Sequence, residues 1–207
     1  MARIDGPAPS EELNPGEPVD ARPAATAILL RDADDGPEVL LVRRNPEQRF
    51  MGGAWVFPGG AVGDEDDGWA AAAVRELAEE AAVDIADVTE LVPFSRWITP
   101  REVKIRFDTV FFVAAAPDGA EPRVDGSECV DVCWIRPADA LAASDRGELE
   151  LVFPTIKHLE LLADLESVEH ALDVARSRDV TPVLPKLVAG ERGPRVVLPG
   201  EPGYDES

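Results

Sequence analysis

Cysteine and histidine are scarce in this sequence, since each occurs only twice among 207 residues. Cys129 and Cys133 lie four positions apart in a segment that is predicted to be a strand. No further cysteine or histidine lies near enough in sequence to complete a zinc site with them. We therefore predict two thiols in or beside the core, and a reducing, cytoplasmic compartment.

Long apolar runs are also missing. The longest, such as Ala24–Leu30, are far too short to span a bilayer. The first residues, 1–23, are rich in Pro, Glu and Asp and lack the apolar stretch of a secretory signal. We expect a soluble protein that does not bind membranes.

Basic residues are outnumbered, with 20 Lys and Arg against 41 Asp and Glu and a formal net charge of −21. Such a surface repels the phosphates of nucleic acids and anionic lipids, so we expect no nucleic-acid partner. A small anionic substrate remains compatible with this charge, because a few arginines or a bound metal can reverse the field inside a cleft.

The pattern of apolar and turn-forming residues divides the chain into three parts. Residues 1–22 are predicted to be a flexible arm, 23–178 one folded domain, and 179–207 an extended, Pro-rich tail. An Ala-, Leu- and Glu-rich stretch, Trp69–Ala82, is the clearest helix. The order of elements implies an α/β or α+β fold with helices on a mixed sheet. The predicted strands are Ala24–Leu30, Glu38–Arg43, Ala54–Phe57, Leu91–Ile98, Ile105–Ala115 and Glu128–Ile135, and shorter helices are predicted over Pro137–Ala143, Pro154–Leu165 and Val168–Ser177.

Three glutamates of that helix, Glu76, Glu79 and Glu80, have the spacing i, i+3 and i+4. This spacing places their carboxylates on one helical face, where like charges repel and shift one another's pKa. A divalent cation removes that penalty, and oxygen-only ligands favour Mg²⁺ or Mn²⁺ over zinc. A solvated acidic face is the alternative for the three glutamates taken alone.

The surroundings of the glutamates resemble the Nudix box. A Phe-Pro-Gly-Gly turn ends at Gly60, Arg75 directly precedes Glu76, and Leu77 follows it, as in the Arg-Glu-apolar-x-Glu-Glu half of that box. The final glycine of the box is replaced by Ala82. The preceding loop is one residue longer than usual, so that Asp66 or Asp67 stands where the first glutamate of the box is expected.

The resemblance implies a mixed sheet sandwiched between helices, here with an extra C-terminal helical segment. It also implies a diphosphatase whose Mg²⁺ or Mn²⁺ is held by Glu76, Glu79 and Glu80, with Glu79 or Glu80 also acting on the attacking water. Arg75 would brace the turn between loop and helix. A further catalytic carboxylate is expected from Glu128, for which a solvated strand start is the alternative.

The approach to the box, Leu40–Gly60, resembles the motif of coenzyme A diphosphatases, with Arg44, Arg49 and the glycines Gly59 and Gly60 in register. The downstream stretches Arg96–Pro100 and Phe153–Thr155 are similar to the acyl-coenzyme A branch. The resemblance implies that these two arginines and two glycines bind the substrate, and that coenzyme A or acyl-coenzyme A yields 3′,5′-ADP and (acyl-)phosphopantetheine. A homodimer would be common among such proteins.

Three alternatives remain at this point. In the first, the substrate is ADP-ribose, NADH or a dinucleotide, which related enzymes cleave with the same box. A Nudix-like module that only binds a nucleotide or a partner protein is the second. In the third, the aromatic residues near the box pack in the core instead of lining a pocket; they are Trp55, Phe57, Trp97 and Phe107.

Overall fold

The computed structural model describes residues 12–190 and 193–205. The strands are β1 (Arg22–Arg31), β2 (Glu38–Arg44), β3 (Trp55–Val56), β4 (Gly59–Ala61), β5 (Val92–Ile98), β6 (Phe107–Ala115), β7 (Cys129–Ile135), β8 (Pro182–Val183), β9 (Lys186–Gly190) and β10 (Gly193–Val197). The helices are α1 (Trp69–Ala81), α2 (Pro137–Asp145), α3 (Phe153–Leu162) and α4 (Val168–Ser177), with a 3₁₀ turn at Val88–Glu90.

A mixed sheet organises the molecule, with the strand order β3-β2-β1-β6-β5-β8. Strands β1 and β6 run parallel from the pair Arg22–Phe107 to the pair Leu30–Ala115. Strands β4 and β7 pair off this path, with β1 and β2 respectively, and β9 and β10 form a separate two-stranded hairpin. The parallel contact between β1 and β6 requires a crossover, and the chain between them contains α1.

The sheet has an apolar core on each face, because successive residues of β1 point to opposite sides. Ile28 and Leu30 pack with residues of α2, α3 and α4. Ala27 and Leu29 pack on the other face with Leu77 and small residues of α1. The sheet is therefore sandwiched between α1 and the three later helices, which confirms the predicted fold class.

The predicted main strands and helices are present, with ends shifted by a few residues. The sequence patterns did not predict β4 or the three short strands after residue 181. Of the predicted arm, residues 1–11 lie outside the described residues, whereas Leu13 forms a β-bridge with Val103. In the described parts of the chain, no helix is long and apolar enough to cross a membrane.

Candidate active site

A cavity of about 390 Å³ lies where α1, the ends of β2 and β5, the start of β6 and the first turn of α3 meet. Both glycines of β4 and two glutamates of α1 contribute to its wall, and apolar side chains from other elements complete it. Its volume falls within the usual range of small-molecule sites. The predicted site residues among its lining are Arg44, Gly59, Gly60, Glu76, Glu80 and Glu128.

Glu80 is the most deeply buried carboxylate of the site, with 2% of its side chain exposed. Its Oε2 atom accepts a hydrogen bond from the Gly59 backbone N–H at 2.9 Å, and its Oε1 atom lies 3.8 Å from Nη1 of Arg44. Burial raises the pKa of Glu80 to about 7, although the Gly59 hydrogen bond and Arg44 oppose that rise. A buried carboxylate with so little compensation is suited to binding a cation.

Glu76 lies one turn earlier on α1 and faces the same cavity. Burial is the main reason why the pKa of Glu76 is raised, and the charges of Glu79 and Glu128 add to the rise. The Gly60 backbone lies so close to Glu76 that a side-chain Cβ at Gly60 would overlap the carboxylate. At Gly59 a Cβ would come within 2.5 Å of the Ala25 carbonyl oxygen, so this position requires glycine, whereas at Gly60 the Glu76 carboxylate would have to move.

Arg75 joins the loop before α1 to the helix itself. It donates to Asp66, to the Ala61 carbonyl at 3.1 Å, and to Glu76 and Glu79 at 2.9 Å each. The hydrogen bond from Arg75 keeps the pKa of Asp66 below its usual range, whereas Asp66 is the main reason why the pKa of Arg75 is raised. Of the two aspartates that could replace the first glutamate of the box, Asp66 is therefore the one that contacts Arg75.

Glu79 and Glu128 occupy different positions relative to the cavity. Glu79 is outside its lining, with 59% of its side chain exposed and its Oε2 atom bound to Arg75. Glu128 lines the cavity from the start of β7, where the nearby negative charge contributes to the raised pKa of Glu76. The structure thus brings Glu128 to Glu76 and Glu80, but it does not bring Glu79 to the same cavity.

The two predicted substrate arginines also differ. Arg44 lines the cavity, and its Nη2 atom donates to Oε1 of Gln48 at 2.5 Å. Arg49 is exposed and does not line the cavity. It lies near Glu12, since its charge is one of the causes that lower the pKa of that carboxyl group, after the hydrogen bond and charge of Lys104.

The side chains of the cavity fit Mg²⁺ or Mn²⁺, because Glu76 and Glu80 offer carboxylate oxygens as ligands. Burial disfavours the charged form of both carboxylates, and a bound cation would stabilise that form. In the stretches 12–190 and 193–205, no three acidic, His or Cys side chains already converge as a complete metal site. Glu79 would have to turn from Arg75 into the cavity to become a third ligand, whereas Glu76 and Glu80 already line it.

Several residues in or beside the cavity were missed from the sequence. Cys129, interpreted there as a core thiol, is buried beside Glu80 and donates a hydrogen bond to it, and burial raises the pKa of the thiol. The cavity also includes Pro185, Leu187 and Val196 from the segment that was predicted to be a tail. Two glycines between apolar runs, at Gly190 and Gly193, are a hairpin signal that could have identified this wall.

Of the four aromatic residues near the box, Phe57, Trp97 and Phe107 line the cavity, whereas Trp55 is buried in the core.

Comparison with known proteins gives one family. Residues 20–155 match the family model described as the NUDIX domain. A Caenorhabditis elegans relative assigned as nudix hydrolase 7 is 28% identical, and the match covers 70% of this chain and 61% of the relative. This chain thus corresponds to less than two thirds of that curated relative.

Solved structures with the same fold include a NUDIX hydrolase from Alicyclobacillus acidocaldarius. It is 29% identical with a TM-score of 0.67, and the match covers 75% of this chain and 96% of that one. The NUDIX domain of Shewanella oneidensis NrtR, solved in complex with ADP ribose, is 23% identical with a TM-score of 0.56. That match covers 69% of this chain and 86% of the other, and it shows similarity of fold.

Proposed function

The chain belongs to the Nudix domain family, and on that premise we propose that it is a magnesium- or manganese-dependent hydrolase that cleaves a diphosphate bond. The observation that carries this proposal is the pair Glu76 and Glu80, two carboxylates in the wall of one cavity whose pKa values are raised by burial. A divalent cation bound there would neutralise the diphosphate oxygens and lower the pKa of a bound water.

The residues around this pair suggest how the chain contributes to the reaction. Glu76 and Glu80 would hold the cation, with Glu79 as a third ligand once its side chain leaves Arg75. Glu128 is the third carboxylate among the described lining residues; it would accept a proton from the attacking water, and its place in the lining supports that role. Arg75 positions the helix and loop through Asp66 and the Ala61 carbonyl. The Gly59 N–H fixes the orientation of the Glu80 carboxylate.

We propose coenzyme A or acyl-coenzyme A as the substrate, with 3′,5′-ADP and (acyl-)phosphopantetheine as products. The motif in Leu40–Gly60 supports this assignment, and so does the position of Arg44 in the cavity beside Glu80. A guanidinium binds phosphate oxygens in bidentate fashion, so Arg44 would contact the diphosphate. Arg49 lies outside the lining and would serve the additional 3′-phosphate at the cavity's margin.

The experiment is hydrolysis of a substrate panel by the purified chain with Mg²⁺ or Mn²⁺, with products identified by mass spectrometry. The panel contains coenzyme A, an acyl-coenzyme A, ADP-ribose, NADH and a diadenosine polyphosphate. Glu80→Gln tests the site, and Glu90→Gln is the matched control, because Glu90 is exposed and outside the cavity lining.

Release of 3′,5′-ADP by the wild type and Glu90→Gln, but not by Glu80→Gln, would support the coenzyme A assignment. Release of AMP from ADP-ribose or NADH, without hydrolysis of coenzyme A, would support the diphosphatase activity but contradict coenzyme A as the substrate. If a panel member bound tightly but neither the wild type nor any variant hydrolysed it, the enzymatic assignment would be wrong, and a nucleotide-binding module would be the better assignment.

A further inference from the structure

The C-terminal segment forms one wall of the cavity. After α4 the chain adds β8 to the edge of the sheet, where Val183 pairs with Trp97 of β5. The hairpin of β9 and β10 follows directly, and Pro185, Leu187 and Val196 of this segment line the cavity. These residues lie beyond 20–155, the span that matches the family model, so this wall lies outside the matched domain.

Hydrogen bonds hold the hairpin in this position. The Tyr204 hydroxyl donates to the Leu184 carbonyl at 2.8 Å, and Nζ of Lys186 donates to the Tyr204 carbonyl at 2.7 Å. The ammonium group of Lys186 also lies 4.6 Å from the centre of the Tyr204 ring. The residues after β10 therefore fold back on the start of the hairpin, which fixes Leu187 and Val196 relative to the sheet.

The lining of the cavity separates a charged part from an apolar part. The glutamates Glu76, Glu80 and Glu128 come from α1 and the start of β7, and among the described lining residues Arg44 is the sole cation. Trp97, Phe107, Phe153, Leu187 and Val196 give the rest of the lining a mainly apolar character. An anionic or polyhydroxylated group bound against these side chains would lose its contacts with water without gaining hydrogen-bond partners, whereas an alkyl group loses nothing.

We propose that the hairpin encloses a compartment for an uncharged group with alkyl surface, joined to the diphosphate of the substrate, and that Leu187 and Val196 determine the preference for such substrates. The inference rests on the proposed diphosphatase function and specifies the chemistry of its substrate. The branched alkyl segment of a pantetheine arm meets this requirement, whereas the second ribose of ADP-ribose, with its hydroxyl groups, does not.

The hairpin also offers a matched control residue. Neighbouring residues of a strand point to opposite sides, so Val188 faces away from the side on which Leu187 lines the cavity, and Val188 is not in the lining. Val196→Thr and Val188→Thr make the same nearly isosteric change, a methyl group to a hydroxyl, on opposite sides of the hairpin. Leu187→Asn is a second test on the cavity side.

The experiment compares kcat/KM for coenzyme A and for ADP-ribose in the wild type and the three variants, after thermal unfolding has shown that each is folded. We expect Val196→Thr and Leu187→Asn to lower kcat/KM for coenzyme A by about tenfold, because a hydroxyl or amide group faces the alkyl segment of the substrate. ADP-ribose turnover should change less than about twofold, and Val188→Thr should resemble the wild type. Equal effects on both substrates, or equal effects of Val196→Thr and Val188→Thr, would overturn the inference.

A binding measurement separates this inference from the proposed function. The uncharged fluorophore N-phenyl-1-naphthylamine becomes brighter in apolar surroundings and carries no phosphate. Binding by the wild type and Val188→Thr, weakened about tenfold in Val196→Thr, would support the compartment even if neither nucleotide were hydrolysed. If the fluorophore did not bind, or bound all variants equally, the compartment would be overturned whatever the enzyme hydrolysed.

Discussion

Arg75 donates two hydrogen bonds to Asp66, from Nε to Oδ1 at 3.0 Å and from Nη2 to Oδ2 at 2.8 Å. Only 4% of the Asp66 side chain is exposed, and its Oδ2 atom also accepts the Gly63 N–H at 2.8 Å. A short carboxylate thereby connects the loop to the helix that carries the glutamates.

We expect Asp66→Asn to lower the free energy of unfolding by about 2 kcal/mol, because the amide removes the charge and one acceptor from a charge-assisted pair. Activity should fall as well, since Arg75 also contacts Glu76. Chemical denaturation and steady-state kinetics measure the two effects. Asp67→Asn is the control, because Asp67 is exposed. Equal losses in both variants would contradict the bracing role of Asp66.

Metal binding at Glu80 predicts a change that can be measured without substrate. Mg²⁺ or Mn²⁺ should raise the melting temperature of the wild type, because a ligand that binds the folded state stabilises it. Glu80→Gln should fold, since its amide oxygen can still accept the Gly59 N–H, but the metal should no longer raise its melting temperature. We expect its kcat/KM to fall by at least about 100-fold. An equal metal-dependent shift in wild type and variant would exclude Glu80 as a ligand.

Helix α1 ends in an unfavourable conformation. Ala82 has φ 52° and ψ 37°, the left-handed region, and its N–H donates to the Ala78 carbonyl. A Cβ in this region costs roughly 1 kcal/mol or more, and glycine avoids that cost. Ala82→Gly should therefore raise the free energy of unfolding by about 1 kcal/mol. Ala71→Gly, inside the same helix, should lower it by a similar amount. Destabilisation by both substitutions would show that Ala82 is not strained.

His158 links stability to pH. Its Nδ1–H donates to the Pro154 carbonyl at 2.6 Å, so Nε2 accepts from the Ser95 hydroxyl at 2.5 Å, and its ring stacks on Phe111 with centroids 4.1 Å apart. Complete burial is the main reason why the pKa of His158 falls from 6.5 to about 4. Above pH 6.5 the imidazole of His158 is unprotonated in both the folded and the unfolded protein. Between pH 6.5 and pH 4 only the unfolded protein binds a proton there, so the folded protein loses stability as the pH falls.

The expected loss from His158 is about 3 kcal/mol across that interval. Urea denaturation from pH 8 to pH 4, with His158→Gln as the comparison, isolates this contribution from the other titrating groups. The variant should be less stable at pH 8 but should lose less stability towards pH 4. Parallel curves for the two proteins would show that His158 remains able to bind a proton in the folded state.

Local patterns in the sequence were sufficient for the elements that carry the chemistry. The Ala- and Glu-rich stretch ending near Ala82 forms α1 as predicted, because helix propensity and the absence of Gly and Pro act within a few residues. The glycines before α1 were also informative, since Gly59 and Gly60 are where the backbone approaches β1 and Glu76. The family and the main carboxylates follow from these short segments.

The tertiary structure determined which of the predicted side chains are buried in the cavity, and the spacing of residues in the sequence does not specify this. Glu76, Glu79 and Glu80 have equivalent positions in the sequence pattern, yet Glu79 lies at the surface, whereas Glu80 is buried and accepts the Gly59 N–H. Arg44 and Arg49 belong to one motif, but only Arg44 lines the cavity. Leu187 and Val196 reach the same cavity from a segment more than a hundred residues after the box. Burial and long-range contact depend on how distant elements pack, and no local pattern specifies that packing.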